Sequence, residues 1–331
     1  GGELAVARSA AQLDRMHSAA RAASAWPGTD WNVLGAAERE RRVRVAGAVG
    51  AMWHPHAARI QPAKLVDGLV GAVERLGVPL YESTRVERIV AGAAHAAAGT
   101  VRARPTIRAT EGVTARLPGQ RRTWLPMNSS LVVTDPLPAQ AWAEIGWEGR
   151  EVLGDMAHAY MYAQRTADGR IAFGGRGVPY RYGSRIDTDG QTPASTVQAL
   201  GELMTRFFPA LGPPRLAHAW SGVLGVPRDW SAGVTYDAVT GLGHAGGYVG
   251  PGVAATHLAG RTMADLILGH DTERSRLPWV GHRTRRWEPE PLRWMGVQTM
   301  YAAYRAADRA EDARRRTTSP LARLADRVSG R

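Results

Sequence analysis

Seven residues late in the chain, Gly246-Gly247-Tyr248-Val249-Gly250-Pro251-Gly252, form its sharpest chemical feature. A helix pattern follows from Gly252 to Leu268, and Gly269 closes it. Glycines before a helix remove the Cβ atoms that keep a ligand off the backbone. The free N–H groups and the helix dipole then offer a positive end to an anion or a polarised carbonyl. Gly250, Gly252 and Ala255 also fit the dinucleotide pattern G-x-G-x-x-A, but that pattern needs a following strand ending in an acid. Asp271-Thr272-Glu273-Arg274 follows instead, with no apolar strand, so the fingerprint is rejected. On spacing alone the segment is either a ligand-holding loop or a ligand-free glycine turn.

Other candidates are less sharp. Tyr160 and Tyr162 stand two apart in an expected strand, so both rings face one way. They fill the core beneath a sheet or line a pocket with their hydroxyls. Ser130 and Thr134 share a face in the same manner, with core packing the stronger reading. Trp220-Ser221-Gly222 and Pro227-Arg228-Asp229-Trp230 bracket a loop whose aromatic walls and one guanidinium suit an anionic or amine ligand. Arg228 and Asp229 equally make a surface ion pair of little worth. His54 and His56 lack a third ligand at a metal-binding spacing. No Gly-x-Ser-x-Gly nucleophile elbow occurs.

The elements that must position these residues fall into blocks. Ser9 and Gln12 form a capping-box pattern opening a helix to about Ala23. A short helix is expected over Ala36–Val43. Gln61-Pro62 starts an amphipathic helix with Leu65, Leu69, Val73 and Leu76 on one side, ended by Gly77. Strands are expected at Val78–Glu82 and Val86–Val90, the helix-then-strand order of an α/β sheet. From Thr106 the pattern changes to short alternating strands: Trp124–Thr134, Ala159–Gln164 and Arg170–Gly174, the last two joined by a hairpin at Ala167-Asp168-Gly169. One helix, Pro193–Phe208, interrupts this antiparallel layer. Leu242–Val249 is expected as a glycine-broken strand leading into the Gly252 helix. Leu292, Met295, Met300, Tyr301 and Tyr304 share a broad face of a C-terminal helix docked on the core.

Composition narrows the classes. A chain of 331 residues supports one large or two ordinary domains. It has no cysteine, which excludes disulfides, thiolate metal sites and a cysteine-linked flavin. No apolar run is long enough to span a membrane, no secretory signal pattern is present, and the cytoplasm is the default compartment. The formal charge of +12 is nearly all arginine, with Lys64 the single lysine. The arginines are scattered, so a compositional bias explains them better than a nucleic-acid surface.

Taken together, five stretches are familiar: Ile60–Val66, Ala109-Thr110-Glu111-Gly112, Leu125–Ser130, Asp168-Gly169-Arg170 with Gly174-Gly175, and Gly246–Gly260. In this order the chain resembles the D-amino-acid-oxidase-like (DAO) superfamily of FAD-dependent oxidoreductases, and within it the gamma-glutamylputrescine oxidoreductase-like proteins. The resemblance implies an α/β FAD/NAD(P)-binding fold, here incomplete, with an inserted antiparallel β-sheet substrate domain. It divides the chain into a helical part of the substrate domain (1–56), an FAD-domain piece (57–115), the antiparallel substrate domain (116–232), a second FAD-domain piece (233–270) and a C-terminal helical extension (271–331). It places Val86 near adenine, Ala109 and Thr110 beside the ADP moiety, and Gly247, Tyr248, Val249, Gly250 and Gly252 over the flavin. Tyr160, Tyr162 and Arg228 become the substrate-site candidates, and the implied reaction is oxidation of a C–N bond of a small amine or amino-acid-like substrate.

The family's opening βαβ unit with G-x-G-x-x-G has no counterpart here. At least ~30 residues, one such unit, are therefore expected to be missing. A truncated, non-catalytic paralogue unable to hold FAD alone is the competing expectation. Relatives that oxidise amino acids carry arginines where this chain has Leu224 and Gly250, leaving Arg228 as the nearby cation.

Overall fold

The computed structural model describes residues 1–175, 179–186, 190–313 and 317–329. Strands and helices are numbered in chain order. The largest sheet has eight strands: β1 (Glu3–Ala7), β2 (Asn32–Leu34), β3 (Gly50–His54), β8 (Leu125–Thr134), β9 (Val152–Asp155), β10 (Tyr162–Arg165), β11 (Ile171–Gly175) and β12 (Leu216–Val226). They lie in the order β12-β8-β11-β10-β9-β1-β3-β2. Every neighbouring pair is antiparallel except β1 with β9. The first 56 residues, expected as a helical part, thus contribute three strands as well as α1 (Ala10–Ala23) and α2 (Ala36–Arg42). Short apolar strands such as Leu-Ala-Val-Ala carry no alternation, so periodicity gave no warning of them.

The period-two pleat assigns each strand two faces. One face presents Leu4, Val6, Val132, Leu153, Ala163 and Phe173 to α5 (Ala194–Phe207), which supplies Leu200, Met204 and Phe207. The opposite face is covered at one end by α1, whose Met16 packs with Ala5, Ala7 and Met52. At the other end the long β8–β12 ribbon meets α7 (Leu292–Ala313). The α1 start follows the expected pattern: Ser9 Oγ accepts from the Gln12 amide at 3.3 Å, and Gln12 Oε1 accepts from the Arg8 amide at 2.9 Å.

The cofactor-side elements are smaller. A three-stranded sheet joins β13 (Gly233–Asp237), β14 (Leu242–Gly246) and β7 (Thr106–Arg108), with α6 (Gly252–Leu268) packing Ala259 and Met263 onto Val234. A separate sheet contains β4 (Val86–Val90), β5 (Ala93–Ala96) and β6 (Gly99–Arg102). Helix α3 (Pro62–Arg75) forms where its amphipathic pattern requires, yet no residue of it is buried. Leu69 and Leu76, on its apolar side, are 57% and 80% exposed.

Among the expected strands, one does not form and others are cut short. Residues 78–82 are irregular, because no described strand lies alongside to accept their hydrogen bonds. The strand ending at Val249 stops instead at Gly246, where φ values of +151° and +80° at Gly246 and Gly247 turn the chain out of the extended region. No described helix is long and apolar enough to cross a membrane.

Candidate functional site

The glycine segment leaves β14 and enters α6 through four departures from ordinary backbone, interrupted only at Tyr248. Gly246, Gly247, Val249 and Gly250 all have positive φ, the last at +140°. Their reasons differ. A Cβ at Gly246 would meet Trp124 at 2.6 Å and Glu111 at 2.7 Å, and one at Gly247 would meet Pro227 at 2.5 Å. These two glycines let the loop pack against its own protein. At Gly250 a Cβ would meet nothing within 4 Å, so that part of the loop faces open space.

Glu111 holds the loop in place. Its Oε1 accepts from the Gly247 amide at 2.7 Å and its Oε2 accepts from the Gly225 amide at 2.9 Å. One carboxylate therefore joins the glycine loop to β12 of the large sheet. Glu111 opens a short 3-10 turn, Glu111–Arg116, directly after Ala109 and Thr110. Thr110 Oγ1 shares a hydrogen bond with Thr114 Oγ1 at 2.8 Å.

Below the loop lies a half-buried polar group. Arg108 and His244 face each other in the β7–β14 register. Arg108 donates to Thr114 Oγ1 at 2.8 Å and stands 4.8 Å over the Trp124 ring. Burial pulls its pKa down to about 10, opposed by Glu111. Burial, reinforced by Arg108, pushes His244 down to about 4, so its imidazole is neutral near pH 7. Its Nδ1 is 2.7 Å from Thr235 Oγ1. Tyr248 is pushed up to about 12 by burial and by Glu111, which keeps its hydroxyl protonated.

At the start of α6, Pro251 is the N-cap and supplies no side-chain hydrogen bond, and the first turn holds no acid. The Gly252 amide donates to the Gly250 carbonyl at 2.7 Å, and the N–H groups that follow it in the first turn, with the positive dipole end, are left for another acceptor. Together with the open side of Gly250, this fits a bound dinucleotide whose anionic or carbonyl oxygens approach the backbone.

The substrate-side candidates separate. Tyr162 opens β10, and its hydroxyl lies 2.7 Å from Ser129 Oγ. Its ring occupies the space above Gly174, which must lack a side chain for that reason. Tyr160 lies before the strand, in the irregular segment after His158 and Ala159, rather than two places along it. Ser130 Oγ bonds Ser221 Oγ at 2.9 Å, and Thr192 Oγ1 bonds Ser221 Oγ at 2.8 Å. Thr134 Oγ1 accepts from the Ile171 amide at 3.1 Å. Both are internal braces of the sheet.

Arg228 is engaged within the protein. Its Nε donates to Glu288 at 3.2 Å and its Nη1 to the Ser329 carbonyl at 3.1 Å, with the guanidinium 5.1 Å over Trp287. The cation ties the turn after β12 to Glu288 and to the end of the last helix. Val86 sits in the β4 sheet, apart from the β7–β14 group that brings Ala109, Thr110 and the glycine loop together. Sequence reasoning passed over Arg108, Trp124 and His244. The available signal was weak: an arginine before Ala109-Thr110 and a histidine two residues before the glycines.

The sequence profile described as FAD dependent oxidoreductase (DAO) matches residues 1–266. The chain belongs to this family. It is 28% identical over 221 residues to a probable oxidoreductase, OrdL, of Rhizobium meliloti, covering 65% of this chain and 48% of the relative. It is 26% identical over 251 residues to the gamma-glutamylputrescine oxidoreductase of Escherichia coli, covering 72% of this chain and 56% of the relative. The chain thus spans about half the length of these curated relatives. Among solved structures it resembles glycine oxidase from Geobacillus kaustophilus, with a TM-score of 0.71 at 20% identity over 86% of this chain and 75% of that one. It also resembles L-proline dehydrogenase from P. horikoshii, with a TM-score of 0.69 at 16% identity over 82% of this chain and 73% of that one. At such identities these likenesses establish the fold. For a DAO-family chain, the Glu111 clamp joins the element expected beside the ADP moiety, the loop expected over the flavin and the sheet expected to face substrate.

Proposed function

We propose that this chain supplies the substrate sheet and flavin-facing loop of an oxidoreductase that oxidises a C–N bond by loss of a hydride. Bound FAD would supply the hydride acceptor. The chain's residues supply position and field. Gly250 and Gly252 admit the cofactor to the backbone, and the uncapped end of α6 favours negative charge on it. Arg108 adds a fixed positive charge beneath the loop, and neutral His244 adds none. Tyr162, oriented by Ser129, and Tyr160 shape the substrate side.

The substrate class we infer is a primary or secondary amine rather than a simple α-amino acid. The carrying observation is the commitment of Arg228 to Glu288 and the Ser329 carbonyl. A buried carboxylate without a cation partner costs several kcal/mol. The family resemblance implies substrate-binding arginines at the positions of Leu224 and Gly250, and this chain has no guanidinium there. Aromatic hydroxyls and apolar walls accept an uncharged amine and its alkyl chain.

The test is a substrate panel on the full-length flavoprotein, following flavin bleaching without oxygen. Rapid reduction by alkylamines or acylated diamines, with slow reduction by glycine and alanine, is the expected result. The reverse ranking refutes the amine assignment, and no reduction by either class refutes C–N oxidation itself.

A further inference from the structure

Helix α8 (Pro320–Ser329) has its burial reversed. Its small residues, Ala322 and Ala325, are buried against Tyr304 and Ala307 of α7, whereas Leu321, Leu324 and Val328 are 44%, 58% and 53% exposed. A surface helix ordinarily turns its large apolar side chains to the core. We propose that α8 is a docking ridge for an anionic lipid surface: Leu321, Leu324 and Val328 enter the headgroup layer, and Arg323 and Arg327 meet the lipid phosphates. The proposal is independent of the amine-oxidation reading, and α8 lies outside residues 1–266, the part matched to the family.

Contacts on the inner side fix which face is outward. Just before the helix, the Ser319 amide donates to Glu311 at 2.8 Å. In its second half, Asp326 accepts from the Tyr304 hydroxyl at 2.8 Å. At its end, Arg228 Nη1 and Trp230 Nε1 both donate to the Ser329 carbonyl at 3.1 Å. The helix cannot roll its leucines inward without breaking these bonds. At 3.6 residues per turn, Leu321, Leu324 and Val328 fall within an arc of about 60°, a convex apolar row. Arg323 and Arg327, one turn apart, run along the edge of that row away from α7.

Charge selects the occupant. Arg323 and Arg327 are exposed, and neither forms an ion pair among the described residues. The only acid of the helix, Asp326, is engaged by Tyr304. A second copy set ridge to ridge about a two-fold axis would bring arginine against arginine with no acid of either helix to separate them. The exposed stripe of α3 lacks this signature, because Asp67 and Glu74 stand among its charges with Lys64 and Arg75. An apolar row edged only by arginine matches a boundary that is anionic outside and apolar beneath, the headgroup region of a bilayer. A soft planar boundary also accepts a convex ridge along its whole length, where a protein partner would have to supply a matching groove. The formal charge of +12 pulls the protein in the same direction.

The experiment is co-sedimentation of the full-length flavoprotein with vesicles of mixed phosphatidylglycerol and phosphatidylcholine, and with vesicles of phosphatidylcholine alone. The anionic vesicles should bind at least tenfold more tightly. Replacing the apolar row, with Leu321→Asn, Leu324→Asn and Val328→Asn combined, leaves the charge unchanged and should weaken that binding tenfold or more. Arg323→Gln and Arg327→Gln should each weaken it about fivefold. All five side chains are exposed, and thermal unfolding checks that each variant keeps the fold. Anionic binding that survives the asparagine variant comes from arginines elsewhere on the surface and overturns the proposal. Equal binding to the two kinds of vesicle, or binding to neither, overturns it as well. Light scattering identifies the competing occupant: a dimer that the asparagine variant splits, without vesicle binding, gives the ridge to a second copy of the chain.

Discussion

The eight-stranded sheet and the cofactor-side elements treat their apolar residues in opposite ways. In the sheet, Leu4, Val6 and Phe173 are fully enclosed between strands and α5. On the cofactor side, α3 carries an equally regular apolar stripe, yet Leu65, Leu69 and Leu76 lie exposed, as do Val78, Leu80, Val86 and Val101. Amphipathic periodicity therefore specifies a helix and the side on which it wants cover, while a packed partner decides whether burial follows. The sheet carries its own partner in α5. For α3 the described residues supply none, and its formation rests on local terms: Pro62 in the first turn and the Gln61 side chain accepting from the Lys64 amide at 2.9 Å.

The comparison breaks most visibly under truncation of side chains. Phe173→Ala, in the enclosed sheet, should cost about 3–5 kcal/mol of unfolding free energy. Leu69→Ala in α3 should cost less than about 0.5 kcal/mol. Denaturant titration of both variants checks this, and a large loss in Leu69→Ala would mean that the stripe is covered.

Protonation separates the two regions next, with opposite signs. His244, beside the glycine loop, is held at about 4, below its ordinary value near 6.5. Its neutral form is the folded one, so the associated stability is complete above pH 6.5 and is lost as the pH falls toward 4, on the order of 2–3 kcal/mol. Asp155, at the end of β9, is pushed by burial up to about 7, with the Met161 amide opposing and Asp308 adding to the rise. It favours the folded state fully below its ordinary range near 4, and that contribution is lost as the pH rises through 7. His244→Asn should flatten the stability profile between pH 4 and 6.5. Asp155→Asn should gain stability over the parent at pH 8 and show no gain at pH 4. Stability measured across pH 4–8 tests both, and parallel profiles for all three proteins would refute the assignments.

A more local effect lies at the join between the regions. Glu111→Ala removes both acceptors from the Gly225 and Gly247 amides and should cost about 1–3 kcal/mol. Hydrogen exchange should accelerate at both amides, whereas Glu111→Gln, with one acceptor oxygen, should spare one of them. Protection unchanged at Gly247 in Glu111→Ala would show that the loop keeps its shape without the clamp.

Much of this was legible in the residues taken in order. The capping pair Ser9 and Gln12, the Pro62 helix start, the Asp168-Gly169 hairpin and the glycine entry to α6 all formed where local chemistry put them. These are signals carried within a few residues, by φ preference and side-chain capping, so no distant partner is needed to read them. The family resemblance, too, was visible in five short stretches.

What tertiary structure decided are the long-range pairings. Strands β1 and β3 join the sheet only because β9 lies parallel to β1. Residues 78–82, strand-like in sequence, stay irregular without a neighbour to bond. In sequence Arg228 is a lone guanidinium beside Asp229, and only the fold delivers Glu288 and Ser329 to it from the far end of the chain. Glu111 read as one letter in a short motif until Gly225 and Gly247 converged on it. A side chain's type and spacing set what it can bond, but its partner is fixed by which distant backbone the fold delivers within 3 Å, a distance that local sequence does not encode.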